Sequence, residues 1–129
     1  MRAFYDRTGH VKLWLHPNGT WFLDVHGHPL AFVHGDSVYD FKGHHVGWWD
    51  GTTIQNHEGR LLVMDREAPH LGATSPPYHP RPIPPTVEAS TPSPPTLGLR
   101  PSRRARARWE WADVSAFLLG LAEVQPLYL

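Results

Sequence analysis

The chain of 129 residues has the length of a single domain, and its 12 Lys+Arg equal its 12 Asp+Glu, so no net charge points to nucleic acid or to an acidic partner. It contains no cysteine, which excludes a disulfide framework, a zinc ribbon and a thiol nucleophile. No N-terminal h-region and no apolar run of ~18 residues is visible. We therefore expect a cytoplasmic protein, with contact at the periphery of a membrane as an alternative location.

Residues 3–66 contain a fourfold repeat with a period of 16 to 18 residues. Each copy places an Asp or Asn three residues before a glycine, and the four glycines are Gly9, Gly27, Gly43 and Gly59. D-x-x-G is typical of a type I turn that a left-handed glycine closes, and Asn-Gly or Asp-Gly between the copies is a strong hairpin signal. The pattern predicts about eight short antiparallel strands, two in each copy.

One hairpin cannot bury a face in water, but four can pool their apolar faces. We therefore expect an all-β domain over about residues 1–67, a pseudo-fourfold shallow barrel that is closed or nearly closed and has few exposed sheet edges. One face of each second strand is expected to carry the larger core residues, namely Trp14, Leu30, Phe32, Val46, Trp48, Leu62 and Met64. The opposite face would carry Leu13, Ala31, Gly47 and Val63.

The composition changes after residue 67. Residues 69–101 hold 11 of the 14 prolines, which favours a disordered Pro-rich linker over residues 68–101. Residues 102–129 are expected to form a basic segment and a short amphipathic α-helix. Asp113 is the expected N-cap of that helix, and one stripe of it carries Val114, Phe117, Leu118 and Leu121.

The repeat unit, VYDFKGHHVGWWDG in its third copy, resembles that of the bacterial four-fold β-flower domain. The resemblance is close over residues 3–66 and loose over the tail LRPSRRARARWEWADVSAFLL. It implies four hairpin petals around a pseudo-fourfold axis and a Pro-, Arg- and Lys-rich tail near a Trp-containing helix, and it implies no biochemical activity. The residue after the turn glycine, often Lys or Arg in that family, departs from the pattern at His10, His28 and His44, and only Arg60 conforms.

Two other repeat families share parts of this pattern. The YD repeats of large bacterial shells have a similar Y-D-x-x-G core, and choline-binding modules use aromatic–Gly repeats whose cages hold a quaternary ammonium. Both belong to exported proteins, so the lack of a visible signal peptide argues against them.

The polar residues of the repeat favour architecture over chemistry. Asn56 replaces the Asp at one of the four equivalent turns, and an amide makes the same turn bond without carrying a proton. His10, His28 and His44 could form a ring that binds a transition metal, but they follow turns at the petal tips, where we expect them too far apart for bonds of ~2.1 Å. We therefore assign no catalytic residue, no metal ligand and no cofactor, and we predict that the protein is not an enzyme.

The tail supplies the interaction candidates, which are Arg100, Arg103, Arg104, Arg106, Arg108, Trp109, Trp111, Phe117, Leu118 and Leu121. Three interpretations stay open: a solvated basic tail, a membrane-surface anchor, and a helix that docks onto the barrel or a partner. No nucleic acid is expected as a partner. We predict a non-enzymatic binding module whose basic-aromatic tail contacts an anionic membrane surface or a protein. The alternative is a small-ligand or metal site within the ring of hairpins.

Overall fold

The computed structural model describes residues 1–66, 77–86, 92–102 and 108–123. The repeat folds into eight short strands in chain order: β1 (Arg2–Tyr5), β2 (Val11–Leu15), β3 (Trp21–Leu23), β4 (Pro29–His34), β5 (Ser37–Tyr39), β6 (His45–Trp49), β7 (Thr53–Gln55) and β8 (Arg60–Met64). The tail adds β9 (Arg108–Trp111) and the helix α1 (Ser115–Glu123).

The first eight strands form a closed barrel. Each pairs antiparallel with the next, and Tyr5 of β1 pairs with Met64 of β8, which closes the sheet on itself. The predicted fold class is thereby confirmed: four hairpins in one barrel, with a C-terminal helix. The Arg2 side chain donates to the carboxylate of Asp65 and to the carbonyl of Gly51, and so joins the two ends of the repeat.

The four D-x-x-G turns share one hydrogen-bond pattern. In the third turn, the Asp40 carboxylate accepts from the amides of Lys42 and His44 at 2.8 and 2.9 Å. The amide of Gly43 donates to the Asp40 carbonyl at 3.1 Å. Asn56 accepts the same pair of amide bonds with its side-chain oxygen, at 3.0 and 2.9 Å. The predicted architectural role of the acidic set is confirmed, because an amide replaces a carboxylate without changing the turn.

A β-bulge follows each of these turns and alters which side chains share a face. Across the second hairpin the pairing passes from Ala31 directly to Pro29, so Leu30 is an extra residue without a partner. Leu30 therefore packs beside Ala31 in the barrel interior, not beside Phe32. Our assignment of Leu30 to the face of Phe32 was wrong because the inserted residue breaks the two-residue alternation. The equivalent extra residues in the other three hairpins are Lys12, Val46 and Leu62.

Apolar side chains from strands that are not neighbours in the sheet meet in the barrel interior. The Trp49 ring of β6 lies 5.5 Å from Phe4 of β1 and 5.3 Å from Phe22 of β3, and the two Phe rings are 5.3 Å apart. Alternate residues of the same strands form a second cluster on the outer face, and Trp14, which we placed in a core, is buried there.

The helix α1 packs against the interior cluster. Asp113 caps it, since its carboxylate accepts from the Ser115 amide at 2.8 Å. Leu121 is fully buried in the cluster, and Phe117 and Leu118 pack against it, which confirms the predicted stripe. No helix within the described residues is long and apolar enough to cross a membrane.

The strand β9 was not predicted. It runs parallel to β8, and the Ala112 amide that follows it donates to the Leu61 carbonyl at 2.8 Å. The chain between the barrel and α1 is thus tied to the last barrel strand by backbone hydrogen bonds.

Candidate functional site

The described residues 77–86 and 92–102, which we call the strap, form no helix or strand and follow the turns of the barrel. A strap carbonyl oxygen lies where a side chain would begin at three turn glycines: Pro77 at Gly9, Thr86 at Gly27 and Thr96 at Gly43. Each oxygen is only 2.0, 2.5 or 2.1 Å, respectively, from the position that a Cβ would take. Glycine is therefore required at these turns for the strap to approach, in addition to its positive φ.

The glycines of the other turns have no such neighbour. Gly19, Gly35 and Gly51 also have positive φ, but no heavy atom of a described residue outside their own turn lies within 4 Å of their Cβ positions. Left-handed geometry is therefore common to both kinds of turn, whereas close approach by another segment is confined to the D-x-x-G turns.

Arg66 holds the beginning of the strap. Its guanidinium lies 3.9 Å from the ring centroid of Tyr5 on the barrel and 4.4 Å from that of Tyr78 on the strap. It also donates to the carbonyl of His79. The His79 ring stacks on His10, with 4.4 Å between centroids and an interplanar angle of 18°. The two cation–π contacts are each worth about 0.5–1 kcal/mol at an exposed site. Together with the hydrogen bond and the stacked ring, they fix both the backbone and the ring of His79.

Arg100 holds the end of the strap. Its guanidinium donates to both oxygens of Asp36 at 2.9 and 2.7 Å and lies 4.9 Å from a ring centroid of Trp48. The hydrogen bond from Arg100 lowers the pKa of Asp36, and the same bond raises the pKa of Arg100. Nearby, the Gly98 amide donates to the Gly43 carbonyl at 2.7 Å. Arg100, one of the predicted interaction candidates, thus makes an internal contact with the barrel.

A hydrogen-bonded chain of side chains lies beside this contact. His45 Nδ1 is 2.9 Å from His57 Nε2, and His45 Nε2 is 3.0 Å from the Ser37 hydroxyl. Burial, followed by the charges of His57 and Arg100, lowers the pKa of His45 to about 4. A Ser–His pair is the arrangement of a nucleophile and its base, but Ser37 has no exposed surface. The buried hydroxyl cannot meet a substrate, so we interpret this chain as structural.

The turn histidines do not converge on one another. His28 and His44 each place Nδ1 3.3 and 3.2 Å from the carboxylate of their own turn, and His10 places Nδ1 2.9 Å from the Thr8 hydroxyl. Among the described residues, no group of three or more His, Asp or Glu side chains could hold a metal ion. The ring of histidines that the repeat suggested is therefore three separate local contacts.

The ten interaction candidates fall into two groups. Arg103, Arg104 and Arg106 lie outside the described residues, and for Arg108 and Trp109 only the backbone is described, within β9. The other five are all in contact with the barrel: Trp111 packs against Leu61 and Met64, Phe117, Leu118 and Leu121 pack with the interior cluster, and Arg100 pairs with Asp36.

Sequence reasoning missed the docking of the strap, although a signal was present. A Pro-Pro pair occurs at residues 76–77, 84–85 and 94–95, and each pair ends at, or one residue before, a docking carbonyl. This recurrence parallels that of the turn glycines. The signal is weak because a proline-rich composition is itself typical of a linker without an internal period.

One family model matches most of the chain. A family model described as "4-fold beta flower protein" matches residues 2–118. The matched range includes the barrel, the strap and the beginning of α1, so the segment after the barrel is part of the family pattern. No curated protein and no solved structure matches this chain.

Proposed function

The chain belongs to the 4-fold beta flower family, and we propose that it is a non-enzymatic protein-interaction module in which the barrel is the scaffold and the strap is the contact surface. The observation that carries this proposal is the docking of strap carbonyls on successive turn glycines, which holds an irregular segment in place on a rigid support. A segment ordered in advance loses less conformational entropy when it binds a partner.

The packing of the tail argues against an inserted membrane anchor. An amphipathic anchor must present its apolar stripe to lipid, but Leu121 is buried in the protein and Phe117 packs beside it. Insertion would require α1 to leave the barrel and to expose the interior that it now covers. Contact between arginines and anionic headgroups remains available without insertion, and it would be weak and sensitive to salt.

Vesicle sedimentation separates these alternatives. We expect the full chain to stay in solution with neutral vesicles, and any sedimentation with phosphatidylserine vesicles at low salt to disappear at high salt. Sedimentation that survives high salt would contradict the proposal, because it would require apolar side chains to enter the bilayer.

Site-specific cross-linking tests whether the strap contacts a protein. A photoreactive amino acid in place of Ile83, which is 91% exposed, should form adducts with a protein in the native cells. The same group in place of Leu119, which is 63% exposed on the outer side of α1, is the matched control and should form none. Equal yields at the two positions would refute the strap as the contact surface.

A further inference from the structure

The stretch from His79 to Pro85 has little conformational freedom. Every one of these seven residues is either a proline or the residue before a proline. Proline fixes its own φ, and it restricts the preceding residue to extended or polyproline II conformations. No cis peptide bond interrupts the described chain. These restrictions favour the polyproline II form, which has three residues in each turn.

The barrel touches the two ends of this stretch on one face. His79 stacks on His10, and a Pro85 carbon lies 3.5 Å from the Cβ position of Gly27. His79 and Pro85 are six residues apart, which is two full turns, so they share a face of the polyproline II helix. The stretch is thus fixed at both ends on neighbouring hairpins, and the residues between them are exposed to solvent.

Four of the residues between these contacts lie on the two remaining faces of the stretch. One carries Pro80 and Ile83, and the other carries Arg81 and Pro84. All four residues are exposed, and Ile83 is among the most exposed apolar residues in the described chain, at 91%. The exposed surface of the stretch therefore combines an apolar ridge with a single cation.

Arg81 differs from the arginines around it. It lines an open cleft together with Arg2 and Arg66, but Arg2 is paired with Asp65 and Arg66 is held by two tyrosines. Within the described residues, Arg81 makes no ion pair of its own. The cleft therefore does not collect several free cations for an anion, and the charge of Arg81 is available to a partner outside the chain.

We propose that residues 80–84 are the epitope for a protein domain that recognises polyproline II in an aromatic-lined groove with an acidic residue at its end. Such grooves take an X-Pro dipeptide between aromatic rings, which the Ile83–Pro84 pair supplies. The acidic residue would pair with Arg81, whose guanidinium suits a carboxylate in two-point geometry. This inference rests on the proposed function and names the chemistry of the partner.

The inference can be tested by isothermal titration of the full chain against purified SH3 and WW domains. The panel should include domains with acidic grooves and domains with neutral grooves. At least one domain with an acidic groove should bind. Arg81→Glu and Ile83→Ser should each weaken that binding by about tenfold or more, which corresponds to the loss of about 1.4 kcal/mol. Leu99→Ser is the matched control, because Leu99 is 96% exposed in the other part of the strap, and it should bind like the unchanged chain.

Two results would overturn the inference. One is the failure of every domain in the panel to bind, and the other is an equal loss of binding in Leu99→Ser and Ile83→Ser. The substituted residues are exposed, so the unfolding temperature of each variant should match that of the unchanged chain. Protein adducts at position 83 together with no binding in the panel would leave the proposed function standing and reject only this class of partner.

Discussion

Replacing Gly43 by alanine should release the strap, whereas the same change at Gly19 should not. Both glycines close a turn with positive φ, +83° and +73°, and both donate an amide bond to the residue three positions earlier. Alanine in the left-handed region costs about 1–2 kcal/mol at either site. For a domain of this size that cost lowers the unfolding temperature by roughly 4–8 °C per kcal/mol.

Only Gly43→Ala adds a second effect. The new methyl group would stand 2.1 Å from the Thr96 carbonyl oxygen, a distance that carbon and oxygen atoms do not reach. Because the strap belongs to no helix or strand of its own, it should move away rather than unfold the barrel. The Gly98 amide, which donates to the Gly43 carbonyl at 2.7 Å, would lose its acceptor.

Hydrogen exchange measured by NMR reports this loss directly. We expect the Gly98 amide to exchange much faster in Gly43→Ala and at an unchanged rate in Gly19→Ala, although both variants lose similar global stability. Equal protection of this amide in the two variants would refute the reasoning, because the strap would then not depend on the absence of a side chain at the turn.

Three further results are expected from denaturant unfolding. Leu121→Ala should lower the free energy of unfolding by about 2–5 kcal/mol, because it removes a fully buried side chain. Leu119→Ala, on the exposed side of α1, should change it by less than about 0.5 kcal/mol. Similar losses in the two variants would contradict the docking of the helix. Asp40→Ala should lower the free energy of unfolding by about 1–2 kcal/mol, because it removes the acceptor of two backbone amides. Asp40→Asn should be nearly neutral, because Asn56 makes the same turn. An equal loss in Asp40→Asn would indicate a role for the charge. The pKa of His45 is lowered from 6.5 to about 4, so between those pH values the unfolded chain takes up a proton that the folded chain does not. The free energy of unfolding should therefore fall as the pH falls through this window. His45→Gln should flatten this pH profile, and an unchanged profile would refute the assignment.

The barrel could be predicted from the sequence because its turns are local. Asp40 and Gly43 decide the geometry of their turn within four residues, so the sequence alone defines the hairpin. The position of Leu30 could not be predicted in the same way, since the bulge depends on how β3 and β4 align across the sheet. A period-2 pattern assigns faces correctly only up to the first inserted residue.

The candidate site could be predicted only in part, for a different physical reason. The stripe of α1 was visible because a helix brings residues three and four positions apart onto one face. Its destination was not visible, because an apolar stripe is equally satisfied by lipid, by a partner or by the barrel interior. The internal contact of Arg100 was not visible on the same ground, since nothing in a run of arginines shows that one of them faces Asp36, 64 residues earlier.

The turn glycines explain how one sequence feature can serve both the barrel and the strap. A D-x-x-G turn needs glycine for its left-handed backbone, and the missing side chain leaves a bare patch on the outer side of the turn. A polyproline segment has no internal hydrogen bonds, so its carbonyl oxygens remain free to approach such a patch, where Cα–H···O contacts are available. Repetition of the turn around the barrel then provides a series of equivalent docking points, at Gly9, Gly27 and Gly43. Between two points the strap must bridge a gap without support, and this requirement exposes residues such as Ile83 to a partner.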